Sequence, residues 1–275
     1  MRLLTIDDLL TGNPEEVDTL IAKGMGLSDT YEDYLANDEG DTHLREPGIH
    51  ASEIKCERAM VYSLNGEERK EKSAPEWKRR FKVGHVIHDM FQTQFEKMAG
   101  LKNSYVTFER EVKIHPCPEQ PVAAMWEIHS HTDGIFTVSE APRAPPIVRV
   151  VLEIKTESAS GYESLKEPRP DHDEQGTVYM KTLDTPLIWF LYFNKGNQNY
   201  TPSTNPNFFR RFNPVTWDRI EKRIEFAHEH HALKILPDRR ESVKCEFCAF
   251  SWTCNPSCLN KLGRGHAKQP AHWGK

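Results

Sequence analysis

Glu153 and Lys155 stand two residues apart in the run IVRVVLEIK. In a strand that spacing puts both side chains on one face and Ile154 on the other. Twenty residues earlier, Asp133-Gly134 ends or kinks another apolar run. Two carboxylates brought together from adjacent strands can hold Mg²⁺, which prefers carboxylate oxygens and keeps several of its waters. Hydrolysis of a phosphodiester asks for such a cation, to neutralise the phosphate and activate water. A lysine ammonium beside the carboxylates can orient or deprotonate the attacking water, or stabilise developing negative charge. By itself, though, a Glu-x-Lys pair is far more often an ordinary ion pair.

Two further spacings accompany it. Gly84-x-x-x-His88 puts a small residue one turn before a histidine, within a stripe made of Trp77, Phe81, Gly84, His88, Phe91, Phe95 and Met98. Steps of three and four place all seven on one helix face. A histidine in such a stripe reads first as a core residue. Gln175 and Tyr179 are four apart, so an amide and a phenol share one helix face.

The six cysteines are Cys56, Cys117, Cys245, Cys248, Cys254 and Cys258, and the last four crowd into fourteen residues. The N-terminal stretch is too acidic for a secretory signal, and in such a chain crowded cysteines read as metal ligands before disulfides. The local reading is a zinc knuckle of Cys245, Cys248, Cys254 and Cys258, which needs no Cys56. Cys117, in HPCPEQP, reads as a bystander.

Helices and strands must position these groups. Ser52 starts a helix that runs to Leu64 and includes Cys56. Pro75 opens a long helix to about Met98, with Lys78, Arg79, Arg80 and Lys82 crowded at its start. Strands are expected over 105–115, 126–138 and 147–155, the last two joined as a hairpin, followed by a polar loop over 156–172. A helix over 173–183, a buried strand over 186–193 and an edge strand over 208–212 come next. Asn213-Pro214 caps a final helix to about Leu236. That order describes a mixed α/β core with a small metal-bound appendage.

The full string Gly84-x-x-x-His88, Asp133, Glu153-x-Lys155, Gln175-x-x-x-Tyr179 resembles the RecB-like branch of the PD-(D/E)XK nucleases, in every element and in order. The resemblance covers roughly residues 48–258. It implies a restriction-endonuclease-like core with flanking helices. It implies His88, Asp133 and Glu153 as ligands of a catalytic Mg²⁺ or Mn²⁺ and Lys155 as the catalytic lysine. Gln175 and Tyr179 would lie near the DNA or the scissile phosphate. Cys56 together with Cys245, Cys248 and Cys254 is similar to the iron–sulfur subgroup of that family, which includes the fourth CRISPR-associated family of stand-alone exonucleases. This implies that the four thiolates hold a [4Fe–4S] cluster. Cys245 is 189 residues beyond Cys56, and the chain between them would then be closed around the core.

Composition agrees with such a chain without specifying it. Of 275 residues, 37% are hydrophobic and 28% charged, and no stretch approaches the ~18 apolar residues of a membrane span. A cytoplasmic protein is expected, and secreted, membrane and collagenous classes are disfavoured. The net charge of −5 hides a split. Residues 1–42 hold eleven acidic residues against Arg2 and Lys23, leaving thirty acidic and thirty-four basic residues in the remainder. The expected organisation is an acidic helical segment (1–47), a nuclease core (48–244), a cysteine module (245–258) and a basic tail (259–275). DNA, as ends or single strands, is the expected partner, alongside recombination or helicase proteins. Its contacts would come from the basic run after Pro75, Arg210, Arg211 and the tail, with Tyr162 or Tyr179 stacking on bases. Competing readings are a structure-specific endonuclease, a CRISPR spacer-processing factor, and a DNA-binding accessory protein whose metal module is structural.

Overall fold

The computed structural model describes residues 13, 15, 45–69, 75–196, 208–240, 245 and 248–254. The chain divides into two units, Met1–Leu44 with Lys72–Lys82, and Arg45–Glu71 with Val83–Lys275. The basic run Lys78, Arg79, Arg80 and Lys82 belongs to the first, and the strands all belong to the second. The basic tail, Cys258 and the stretch 197–207 lie outside the described residues.

The larger sheet is built from β2 (Val106–Arg110), β5 (Gly134–Ser139), β6 (Pro146–Glu157), β7 (Leu187–Asn194) and β8 (Phe209–Arg211), in that order. Its pairs are antiparallel except β6 with β7. That parallel pair needs a crossover, supplied by α4 (Ala159–Glu163) and α5 (Pro170–Thr182). The polar stretch after β6 is therefore shorter than expected and contains a helical turn. A smaller sheet orders β1 (Ile49–His50), β4 (Ile128–His131) and β3 (Lys113–Ile114).

Two of the expected strands are each broken in the middle. Residues 105–115 split into β2 and β3 at Glu111, whose φ of 49° takes it out of extended conformation. Residues 126–138 split into β4 and β5 at Thr132-Asp133. The breaks face one another: Glu111 N–H reaches Asp133 O at 3.4 Å and Thr132 N–H donates to Val112 O at 3.1 Å. One long antiparallel pairing thus bends, and its two halves enter different sheets with Asp133 at the corner. Gly134 follows because a Cβ there would collide with the Phe108 ring and crowd Glu109 O at 2.9 Å.

Period-two alternation sorts β6 and β7 onto two cores. Val150, Leu152, Ile154 and Leu191 pack with Ile87 and Phe91 of α2 (Pro75–Ala99). Phe95, Phe108, Phe136 and Trp189 form a network of edge-on and tilted rings on that side, with centroids 4.8–6.0 Å apart. The opposite face carries Val151, Ile188, Phe190 and Tyr192. These pack with Val178 and Tyr179 of α5, Trp217, Ile220 and Ile224 of α6 (Pro214–Ala232), and Met60 and Val61 of α1 (Glu57–Leu64). Helix α6 starts as expected, with the Asn213 side chain accepting from Val215 N–H and Thr216 N–H, but it ends at Ala232.

Two local expectations are corrected. Cys56 is the extended N-cap residue of α1 rather than a helix-interior position, because a 3-10 turn (Ala51–Glu53) takes up the start of the predicted helix. On α2, Phe81 and Met98 are exposed, while Ile87 and Gln92 lie on the buried side with His88 and Phe91. A short helix, α3 (Pro121–Trp126), stands where no element was expected. Among the described residues no helix is long and apolar enough to cross a membrane.

Candidate active site

β6 outruns its neighbour. Gly134 is the last β5 residue paired with it, opposite Leu152, so the next inward N–H, that of Ile154, has no strand to bond. Asp133, at the corner, fills the gap, its Oδ2 accepting from Ile154 N–H at 2.6 Å. Its Oδ1 meets His88 Nδ1 at 2.9 Å. Gln92, one turn beyond His88 on α2, donates from Nε2 to the Asp133 carbonyl at 2.8 Å. The corner is therefore tied to both β6 and α2.

Glu153 and Lys155 emerge on the other face of the same strand, as the alternation requires. Glu153 is only 4% exposed, and its Oε1 lies 2.6 Å from Lys155 Nζ. Lys155 Nζ also donates to Gln175 Oε1 at 3.1 Å, and Gln175 Nε2 donates to Tyr179 Oη at 2.6 Å. Ser130 Oγ, from β4, closes the set on the same phenol oxygen at 3.4 Å. Helix α5 comes near enough for this because Gly176 faces β7. A Cβ there would stand 2.5 Å from Phe190 Cζ and 2.7 Å from Ile188 Cδ1.

Electrostatics follow from this crowding. Burial pushes the Glu153 carboxyl up to about 7, against the pull of Lys155 and with the help of the nearby Asp133 charge. Burial pulls the Lys155 ammonium down most strongly of any single cause, but the charge and hydrogen bond of Glu153 together with the Asp133 charge outweigh it and hold Lys155 above its usual value. For His88, burial likewise works downward, and the bond and charge of Asp133 raise it on balance. Burial holds the Tyr179 phenol well above the ordinary value.

The structure thus gathers His88, Asp133, Glu153, Lys155, Gln175 and Tyr179 around the end of β6. Sequence reasoning missed Gln92, Ser130 and the backbone N–H of Ile154. Gln92 carried a signal, being four residues after His88 and so on the same helix face. The proposed base stacking is corrected: Tyr162 and Tyr179 are 4% and 2% exposed, so neither ring offers a face to a base. Arg210 lies on β8, its Nη2 3.9 Å from Glu167.

Among the described residues no group of three or more His, Cys, Asp or Glu side chains forms a ready-made metal-holding cluster. At the β6 end the reason is visible, since both Asp133 oxygens and one Glu153 oxygen already have partners within the protein. The donor types nonetheless suit Mg²⁺ or Mn²⁺, with two carboxylates and an imidazole at one strand end.

The described cysteines other than Cys117 meet elsewhere in the same unit. Cys56, Cys245, Cys248 and Cys254 line one pocket with Arg58, Tyr62, Arg239, Arg240 and Phe250. Among the described residues none of the four is in a disulfide. Burial raises the Cys56 and Cys248 thiols. Phe250 is buried against Tyr62 with ring centroids 5.4 Å apart, which anchors the Cys248–Cys254 turn to α1. The four thiols in that lining are donors of the type that suits an iron–sulfur cluster or zinc. Arg58 adds a buried Nε–H with no acceptor.

No protein-family model and no curated protein matches the chain. Among solved structures it is similar to SSO0001, with 14% identity over 83% of this chain and 96% of that one and a TM-score of 0.44. It is also similar to LHK-Exo in complex with dAMP, with 14% identity over 74% and 93% and a TM-score of 0.45. For the alkaline exonuclease LHK-Exo from Laribacter hongkongensis, the figures are 13% identity, 69% and 90% coverage and a TM-score of 0.41. At TM-scores below 0.5 these likenesses assign no activity to the chain.

Proposed function

We propose that the chain is a divalent-metal-dependent deoxyribonuclease of the RecB-like PD-(D/E)XK type, acting as an exonuclease on DNA ends or single strands. The observation that carries this reading is the convergence at the end of β6. There His88–Asp133 and Glu153–Lys155–Gln175–Tyr179 come from α2, β6, α5 and the corner between β4 and β5 to one place. Mg²⁺ or Mn²⁺ bound by Asp133, Glu153 and His88 would neutralise the phosphate and activate water.

The chain's own groups account for the rest. The Asp133 bond and charge favour the protonated form of His88 and burial favours that of Glu153, and each group serves as a ligand only after releasing that proton. Once the Glu153 carboxylate turns from Lys155, the charge that holds the lysine's proton is withdrawn, and burial then favours the neutral amine. Lys155 can accept a proton from the attacking water in that state. Gln175 fixes the direction of Nζ, and the buried Tyr179 fixes Gln175. The cysteine pocket, in this reading, holds a [4Fe–4S] cluster away from the chemistry; zinc is the alternative.

End-labelled single- and double-stranded DNA, incubated with Mg²⁺, Mn²⁺ or chelator, tests the activity. Loss of terminal nucleotides with metal, none with chelator and none from Glu153→Ala is the expected result. Undiminished cleavage by Glu153→Ala would sink the assignment.

A further inference from the structure

Arg58 is a charged group at the cysteine pocket with a buried donor left over. It sits one residue into α1, two positions after Cys56. Its Nη1 donates to Pro237 O at 2.7 Å and its Nη2 to Tyr62 Oη at 3.1 Å. One of these two bonds comes from the segment after α6 and one from α1 itself. Of its other donors, Nε–H is buried and makes no well-aligned hydrogen bond within the protein, while the Cys254 side chain stands close enough to interact with the guanidinium. Arg58 lines the same pocket as the four thiols, together with Arg239 and Arg240.

A buried donor without an acceptor is rare in a native protein and asks for an explanation, a group bound beside it among them. The groups sharing this pocket with it are thiols, which become strong acceptors only as metal-bound thiolates. Four thiolates around a [4Fe–4S] core leave a net negative charge, and reduction adds one more. A fixed guanidinium beside that charge has the sign to stabilise it, and most of all the reduced form. Net charge and hydrogen bonds to the sulfurs are among the factors that set a cluster's reduction potential.

We propose that Arg58 is a positioning residue for the cluster, donating Nε–H to a cluster sulfur and raising the cluster's reduction potential. This rests on the iron–sulfur reading of the pocket, and the first arm of the test separates the two.

The full-length chain, purified without oxygen, is assayed for iron, acid-labile sulfide and visible absorption. Zinc in place of iron defeats the cluster reading and the inference with it. With a cluster present, wild type, Arg58→Met and Arg58→Lys are titrated with dithionite at matched iron content. Arg58→Met should shift the one-electron equilibrium at least tenfold toward the oxidised form, a potential more negative by about 59 mV. Arg58→Lys, which keeps the charge but not the planar N–H, should shift it less. A second measurement covers the case in which Arg58→Met loses its cluster. Resonance Raman bands of the Fe–S stretches should move between H₂O and D₂O in wild type, and move less in Arg58→Lys. Equal potentials in all three proteins, or equal isotope shifts in wild type and Arg58→Lys, overturn the proposal while leaving the cluster reading in place.

Discussion

The strand-end site and the cysteine pocket solve the same problem in opposite ways. At the end of β6 each charged group has a partner from within the chain: Asp133 has His88 and Ile154 N–H, Glu153 has Lys155, and Lys155 has Gln175. These groups come from regular elements whose positions the two cores already fix. In the cysteine pocket the thiols come from an N-cap residue and from short segments after α6, and Arg58 keeps an unused buried donor. The first site is organised before any ligand arrives, and a metal there must displace protein contacts. The second is left incomplete by the protein alone. Ligand removal should therefore cost the strand-end site its chemistry and the cysteine pocket its structure.

The sharpest break of that contrast is Lys155→Met. If the lysine is the base, single-turnover cleavage of end-labelled DNA should fall roughly 10³-fold, about 4 kcal/mol of barrier, with the fold intact. Retention of the wild-type rate would leave Lys155 as a structural ion pair only. Cys56→Ser is the corresponding test of the pocket. It should lose iron and lower the melting temperature by about 6–12 °C, taking about 3 kcal/mol lost and roughly 2–4 °C per kcal/mol at this size. Cys258→Ser should be mild by both measures. A severe Cys258→Ser beside a mild Cys56→Ser would favour the zinc knuckle.

A smaller effect follows from proton linkage. The Glu153 carboxyl is raised in the folded protein to about 7 from its unfolded value of 4.5. A raised group contributes stability that is present below 4.5 and lost as pH rises through about 7. In chelator, urea unfolding should therefore show stability falling between pH 5 and pH 8, on the order of 1–3 kcal/mol. Glu153→Gln should flatten that slope, and Mn²⁺ should restore stability at pH 8 more than at pH 5. The same slope in Glu153→Gln would place the titration elsewhere. Gln92→Leu should have the smallest consequence. It removes one bond to the Asp133 carbonyl, worth about 1 kcal/mol of stability, and should lower cleavage less than tenfold.

Much of the site was legible because it obeys periodicity. Glu153-x-Lys155 on a strand and Gln175-x-x-x-Tyr179 on a helix place side chains by spacing alone, and the Asn213 cap needs only its own side chain and the next turn. The corner that carries Asp133 was legible only in part: Asp133-Gly134 marks an end or kink of its own strand, but the matching break at Glu111 was not read. Alternation runs unbroken through YVTFEREVKIH, and the left-handed residue that breaks it is a glutamate, not a glycine or asparagine. The burial of Gln92 and the exposure of Phe81 and Met98 depend on how α2 lies on the sheet, which a stripe of spacings does not determine. Gly176 gave no sign of its role either, because the Phe190 and Ile188 contacts that demand it come from another strand.

The central claim is that Asp133, Glu153 and His88 exchange their protein partners for a divalent cation. A Mn²⁺ titration followed by electron paramagnetic resonance, on wild type and Asp133→Asn at pH 8, measures this directly. Wild type should bind Mn²⁺, and Asp133→Asn should bind it at least tenfold more weakly while remaining folded. Identical binding by the two proteins, or none by wild type with DNA present, would contradict the account.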